Sequence, residues 1–149
     1  MNAHVVPARA EDLPAVLALL EENQLPKEGL VEHPVAVLTL REGERIVGSA
    51  ALELYGASVL LRSVAVVSGR RGEGLGKRLT REALKLARER GAERAYLLTE
   101  TADGFFGRFG FRPVPRSEVS EGVRCSVEFV SACPKSARAM MVDLTERAR

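Results

Sequence analysis

The segment from Ala57 to Thr99, ASVLLRSVAVVSGRRGEGLGKRLTREALKLARERGAERAYLLT, constrains this chain more than any other. It opens on ASVLLRSVAVVS, a run so nearly continuous in its apolarity that it fits a central strand covered on both faces. A glycine-rich turn carrying Arg70, Arg71, Lys77 and Arg78 follows. From Gly74 to Arg90 the spacing predicts a helix, with Leu75, Leu79, Ala83, Leu86 and Ala87 as its buried stripe and Gly91 as its stop. ERAYLLTE is the next strand.

The flanking sequence adds elements on both sides. HVVPAR reads as a first strand, and AEDLPAVLALLEEN as a helix burying Leu13, Val16, Leu17 and Leu20. Pro14 is tolerated in a first helical turn, and Glu11 and Asp12 suit the positive end of the helix. Residues 24–34 are punctuated by Pro26, Gly29 and Pro34 and read as a loop. VAVLTLREGERIVGSAALELYG predicts two strands joined by a turn at Glu42–Glu44. TADGFFGRFG reads as a short helix, FRPV as a short strand, Arg116–Cys133 as one or two short helices, and SARAMMVDL as the last strand. The expected fold class is mixed α/β, with hairpin strands before the main helix rather than strict βα alternation. A chain of 149 residues fits one domain, residues 1–149.

Composition excludes several classes. The chain holds 22 basic and 20 acidic residues, a net charge of +2, and only 5% aromatic residues with no Trp. A general nucleic-acid binder carries a larger basic excess, so any anion site is local. Cys125 and Cys133 form no CxxC pattern, and His4 and His33 lie far apart, so no metal is expected. No apolar run approaches a membrane span, and the N-terminus lacks a secretory pattern, so a cytoplasmic protein with no membrane partner is expected.

The glycine turn is the candidate anion site. A phosphate-binding GxxxxGK[ST] loop fails, because Arg78 follows Lys77 and Arg71 stands where the first glycine belongs. A dinucleotide GxGxxG fails on spacing, since Gly72, Gly74 and Gly76 alternate. A third template fits at each defined position: Arg or Gln, two residues, Gly, one residue, Gly or Ala, between a strand and a helix. Here it is Arg71, Gly74 and Gly76. Glycines allow close approach of an anion to the backbone, and the free N–H groups of a helix start point at it. The bland alternative is a turn with a solvated basic helix face.

With these residues in place, the chain resembles the GNAT superfamily of N-acetyltransferases. The resemblance rests on LRSVAVVSGRRGEGLGKRL, GAERAYLLT, FFGRFGF (similar to the family's FYxxxGF) and the opening VVPARAEDLPAVLALL. LLRSVAV, YLLTETADGFFGRFGFRPVPRSEV and SVEFVSACPKSA are most similar to acetyltransferases associated with arsenic-resistance gene clusters, and also to N-acetylglutamate synthase-type domains. The resemblance implies a central mixed sheet of about six or seven strands flanked by about four helices, with splayed central strands. It implies acetyl-CoA as donor and the primary amine of a small molecule, such as an amino acid or amino-acid-like toxic compound, as acceptor. Val64, Ala65 and Val66 would face the acetyl and pantetheine portion, and Arg71, Gly72, Glu73, Gly74, Leu75, Gly76 and Lys77 the pyrophosphate. A homodimer is common in the family.

The chemistry at the acceptor end is less determined. The Val66 backbone N–H is the candidate donor to the thioester carbonyl. The family's usual tyrosine acid aligns with Phe106, which has no proton to give. Neither Tyr55 nor Tyr96 is assigned in its place. Glu53 and Glu100 are candidate bases, each with an exposed strand-end charge as its alternative. Arg62, inside an apolar run, needs a partner: a substrate carboxylate or an internal salt bridge, for example with Glu53. Thr99 and Thr101 belong at the substrate end. For Cys125 and Cys133, burial as packing residues outweighs binding of arsenic(III). Phe106 also leaves open a non-catalytic acyl-CoA-binding sensor.

Overall fold

The computed structural model describes residues 3–28, 30, 35–126, 129 and 136–145. The elements run in the order the sequence predicts. They are β1 (His4–Pro7), α1 (Leu13–Glu22), β2 (Val35–Glu42), β3 (Arg45–Tyr55), β4 (Ser58–Val66), α2 (Leu75–Glu89) and β5 (Arg94–Thr99). Then come α3 (Asp103–Gly107), β6 (Arg112–Val114), α4 (Glu121–Arg124) and β7 (Arg138–Asp143). Single 3-10 turns precede α1, α2 and α4. Of the loop read over 24–34 and the helices read over Arg116–Cys133, residues 29, 31–34, 127, 128 and 130–133 lie outside the described residues.

Seven strands form one mixed sheet in the order β1-β2-β3-β4-β5-β7-β6. Each neighbouring pair is antiparallel except β4–β5. The sheet is covered on both faces, as the continuous apolarity of β4 requires. On one face α2 and the phenylalanines around α3 close a cluster with Leu40, Val47, Leu52, Val59 and Leu61. On the other, α1 buries Val16, Leu19 and Leu20 against Ala51 and Ala65. Farther along that face Leu60 and Tyr96 pack with Val119 and Val123 of the α4 region.

Local chemistry explains the details. The helix α1 buries Leu19 in addition to Val16 and Leu20, while Leu13 and Leu17 stay half-buried. In α2 the fully buried residues are Leu79, Thr80, Ala83, Leu84 and Ala87, with Leu75 and Leu86 packed at the margin. The hydroxyl of Thr80 escapes burial cost by donating to the Gly76 carbonyl at 2.9 Å. The close seat of α2 needs Gly48 on β3, where an added Cβ would lie 2.8 Å from Leu79 Cδ1 and 3.1 Å from the Ala65 carbonyl.

One irregularity interrupts the pairing of β3 with β4. On β4, Ala65 pairs with Ser49 and Arg62 with Ala51, so two residues of β4 oppose Ala50 alone. This is a β-bulge. Before it, Val59 and Leu61 face α2; after it, Val64 and Val66 pack on that side and Ala65 turns toward α1. Ser63 at the bulge is left-handed, with φ +62°. Its carbonyl accepts the Ser49 hydroxyl at 2.7 Å.

Candidate active site

The parallel strands β4 and β5 pair only at Ser58–Arg94, Val59–Ala95 and Leu60–Tyr96. Beyond these, β4 continues to Val66 and β5 to Thr99 without pairing to each other. A cleft of about 790 Å³ opens there. Residues 61–66 form one wall and 97–102 the other; residues 23–28, Arg71, Gly76, Phe105, Phe106 and Ala137 complete it.

The β4 wall offers an unpaired donor. The Val67 N–H donates to the Val47 carbonyl at 2.9 Å, toward β3. Backbone groups alternate sides along a strand, so the Val66 N–H points the other way, to the side where β5 has parted. The Val66 carbonyl, on the same side, accepts a 3.4 Å hydrogen bond from Asn23 Nδ2.

The glycine turn follows at the end of this wall. Gly72 and Gly74 are left-handed, with φ +87° and +82°, and nothing lies within 4 Å of a Cβ built on either. Gly74 caps α2 without a side-chain hydrogen bond. The first hydrogen bond of the helix runs from Arg78 N–H to the Gly74 carbonyl at 3.1 Å. The N–H groups of Leu75, Gly76 and Lys77 therefore have no acceptor within the helix. Arg70 is committed to Glu42, at 2.5 and 2.6 Å, and to Glu73 at 2.9 Å. Those carboxylates, Glu42 foremost, raise its pKa further above its ordinary value. Arg71, Lys77 and Arg78 remain as exposed cations beside the helix start. Of the predicted cofactor residues, Val64, Ala65, Val66, Arg71 and Gly76 line the cleft. Gly72, Glu73, Gly74, Leu75 and Lys77 flank them in the turn and are not among its lining residues.

At the opposite end the predicted residues separate. Arg62 is fully buried, and its Nη1 donates to Glu53 Oε2 at 2.7 Å. Its Nη2 donates to the Pro26 carbonyl at 3.1 Å, and its Nε to Ser63 Oγ at 3.2 Å. The internal salt bridge considered for Arg62 is thus present. Glu53 is equally buried, accepts the Tyr55 hydroxyl on its other oxygen, and is not among the residues lining the cleft. An exposed strand-end carboxylate was one expectation for Glu53; its position opposite Leu60 in mid-sheet buries it instead. Burial, reinforced by Glu53, pushes the Tyr55 hydroxyl far above its ordinary pKa. Tyr55 and Tyr96 do not line the cleft; Tyr96 accepts a hydrogen bond from the Ser120 hydroxyl at 3.2 Å.

Arg62, Thr99, Glu100 and Thr101 do line it. Glu100 is exposed and accepts the Ser136 hydroxyl at 2.8 Å. Thr99 Oγ1 accepts the Ala102 N–H at 2.9 Å, which turns the chain from β5 toward α3. Phe106 is 9% exposed and packs edge-on against Phe105 and Phe111. Cys125, expected to be a buried packing residue, is exposed at the end of α4, and Cys133 lies outside the described residues. Sequence reasoning missed Asn23, Gln24, Ser63 and Phe105. Their only signal is the junction of a helix end with a loop, or an irregular strand, and neither is written in residue type.

No group of three or more potential metal ligands occurs among the described residues, and no helix among them is long and apolar enough to cross a membrane.

A mixed sheet whose central strands part beside an uncapped helix start defines the acetyltransferase class of fold. Residues 6–111 match the model of the acetyltransferase (GNAT) family, and the chain belongs to that family. Solved structures agree on the fold. N-acetylglutamate synthase from Neisseria gonorrhoeae, complexed with coenzyme A and N-acetyl-glutamate, superposes with a TM-score of 0.80 at 22% identity, over 97% of this chain and 35% of that one. The chain therefore spans about a third of that enzyme's length. Rv2747 from Mycobacterium tuberculosis, in a complex containing CoA, gives 0.77 at 23% identity, over 94% and 98% of the two chains. PaiA N-acetyltransferase from Thermoplasma acidophilum, in complex with coenzyme A, gives 0.71 at 14% identity, over 96% and 99%. No curated protein matches the chain in sequence.

Proposed function

We propose that the chain is an acetyl-CoA-dependent N-acetyltransferase that acetylates the primary amine of a small molecule. The observation that carries this is the parting of β4 from β5, which leaves the Val66 N–H facing a cleft that ends at an uncapped helix start.

The residues fit the cofactor. The free N–H groups of Leu75, Gly76 and Lys77, the open space over Gly72 and Gly74, and the cation Arg71 suit a pyrophosphate. Glu73 pairs with Arg70 and leaves the turn's remaining positive charge uncancelled. The unpaired edge of Val64, Ala65 and Val66 suits the amide-bearing pantetheine arm, which can pair like a strand. Bound acetyl-CoA supplies an activated acyl group as a thioester.

The chain's own groups have separate tasks. The Val66 N–H donates to the acyl carbonyl, and a preorganised donor of this kind is worth about 3 kcal/mol in the transition state. Glu100 is the base that takes the ammonium proton, directly or through one water. Thr99 and Thr101 line the acceptor end beside it. Arg62, part of the cleft wall, and Glu53 behind it hold β4 and the 23–28 segment in place through their ion pair and the Pro26 carbonyl. Phe106 gives no proton, so water protonates the departing thiolate.

The acceptor fits an amino acid or amino-acid-like toxic compound. The segments quoted above favour the arsenic-resistance-associated subgroup, with residues 1–149 as one acetyltransferase domain, in a cytoplasmic protein that pairs with a second copy of itself and needs neither metal nor nucleic acid. The decisive experiment follows thiol release from acetyl-CoA across a panel of primary amines. Release well above background with at least one amine is expected. Phe106 favours a second reading, a sensor that binds acyl-CoA without turnover. Tight acetyl-CoA binding with no release for any amine would select it.

A further inference from the structure

Among the described residues, the chain holds two non-glycine residues in left-handed backbone conformation, Gln24 (φ +58°) and Ser63 (φ +62°), and both line the cleft. Ser63 has a local reason: it sits on the β-bulge, and its hydroxyl and carbonyl are both hydrogen-bonded. Gln24 has none. It is the residue just past the end of α1, where its N–H bonds the Glu21 carbonyl at 3.1 Å and the next N–H, of Leu25, reaches back to the Leu20 carbonyl at 2.9 Å. That pattern is a helix stop whose left-handed position glycine fills best, because a Cβ there is strained. Glutamine is a poor choice for the stop itself.

The conformation is nonetheless firmly held. Just before it, Asn23 Nδ2 donates to the Leu19 carbonyl at 2.9 Å, and Asn23 Oδ1 accepts from Arg71 Nη2 at 2.5 Å. Two residues after it, the Pro26 carbonyl is pinned by the buried Arg62. Gln24 is exposed, lines the cleft, and its side chain makes no hydrogen bond among the described residues. A strained backbone, clamped on both sides, thus holds at the cleft lining a residue whose carboxamide is uncommitted. Strain maintained in this way clusters at active sites and ligand clamps.

The geometry points to Gln24 as a specificity-determining residue, whose carboxamide hydrogen-bonds a polar group (carboxylate, carboxamide or hydroxyl) carried by the amine acceptor. This rests on the acetyltransferase reading above. A carboxamide can donate and accept at once, so it suits an acceptor with such a group near its amine and gives nothing to a plain alkylamine.

The test substitutes Gln24→Gly and Gln24→Asn and follows thiol release with amino acids and with alkylamines of matched length. In Gln24→Gly the strain is removed, so Tm rises by about 2–4 °C. Meanwhile kcat/KM for polar amines falls about tenfold with KM for acetyl-CoA unchanged, and alkylamines are unaffected. Gln24→Asn keeps a carboxamide and tolerates the left-handed backbone, so it retains more of the polar-amine activity than Gln24→Gly. A purely structural Gln24 predicts the rise in Tm with no selective loss, and that result overturns the proposal. Equal losses for polar and apolar amines overturn it as well. If the unsubstituted protein releases thiol with no amine at all, the acetyltransferase reading itself fails and this assignment falls with it.

Discussion

Arg62 and Glu53 form an ion pair of 2.7 Å in which both side chains have 0% exposure. The pair crosses from Arg62 in the β4 wall of the cleft to Glu53 on β3, and ties in Tyr55 on one side and the Pro26 carbonyl on the other. Neither charge has water to fall back on, so each depends on the other. Removing one partner, as in Arg62→Met or Glu53→Gln, is expected to cost about 3–5 kcal/mol. Equilibrium denaturation should also find the double substitution less damaging than the sum of the singles. Additive losses would mean that the two groups do not depend on each other.

Phe106 lines the cleft with its ring tucked among Phe105 and Phe111. Phe106→Tyr adds a single hydroxyl there. If protonation of the thiolate limits turnover, kcat for acetyl transfer should rise about tenfold, below the full 10²–10⁴ that general acid–base catalysis can contribute. KM for acetyl-CoA should stay where it was. Steady-state kinetics read both quantities.

Two glycines should respond differently to alanine. At Gly74 space is open but φ is +82°, so Gly74→Ala should cost about 1–2 kcal/mol of stability and weaken acetyl-CoA binding. At Gly48 a Cβ would stand 2.8 Å from Leu79 Cδ1, so Gly48→Ala should cost about 1–3 kcal/mol by pushing α2 off the sheet. Thermal unfolding and cofactor titration of both variants distinguish strain at the turn from overpacking in the core.

Asp12 governs part of the acid limit. Its carboxylate accepts the Arg9 N–H at 2.8 Å and sits 3.1 Å from Arg41. The Arg9 N–H first, then the Arg41 and Arg9 side chains, hold its pKa down at about 2 against the opposing effect of burial. A lowered folded-state pKa means that the unfolded chain binds the proton more readily, so stability rises with pH across this window. The contribution is complete above about pH 4 and is lost as pH falls toward about 2. Asp12→Asn should flatten that part of the stability-against-pH curve, which acid titration at several denaturant concentrations measures.

Much of the fold was legible in the sequence because it is written in local periodicity. The continuous apolarity of residues 57–68, the stripe of α2 and the turn glycines Gly43, Gly56, Gly91 and Gly110 made the order of strands and helices readable. The turn at Arg71–Gly76 was legible for the same reason: glycine spacing beside a helix start is local information. The acceptor end was not. Whether Arg62 meets Glu53 or a ligand depends on the register of β3 against β4, which a β-bulge shifts midway. The left-handed backbone of Gln24 contradicts residue preference, so no propensity argument finds it. Cys125 was misjudged because a four-residue helix at the surface leaves it little to pack against.

The sheet consists of two antiparallel halves, β1–β4 and β5–β7–β6, joined by three residue pairs of a single parallel seam. A ligand lying along the open edge of β4 would act as the missing neighbour and lengthen that seam. Mechanically, the empty protein is two plates stitched at one end, and occupancy adds stitches toward the other. The molecule should therefore stiffen across its middle when loaded, with backbone amides of residues 61–66 and 97–99 gaining the most protection from hydrogen exchange, while the outer strands change least.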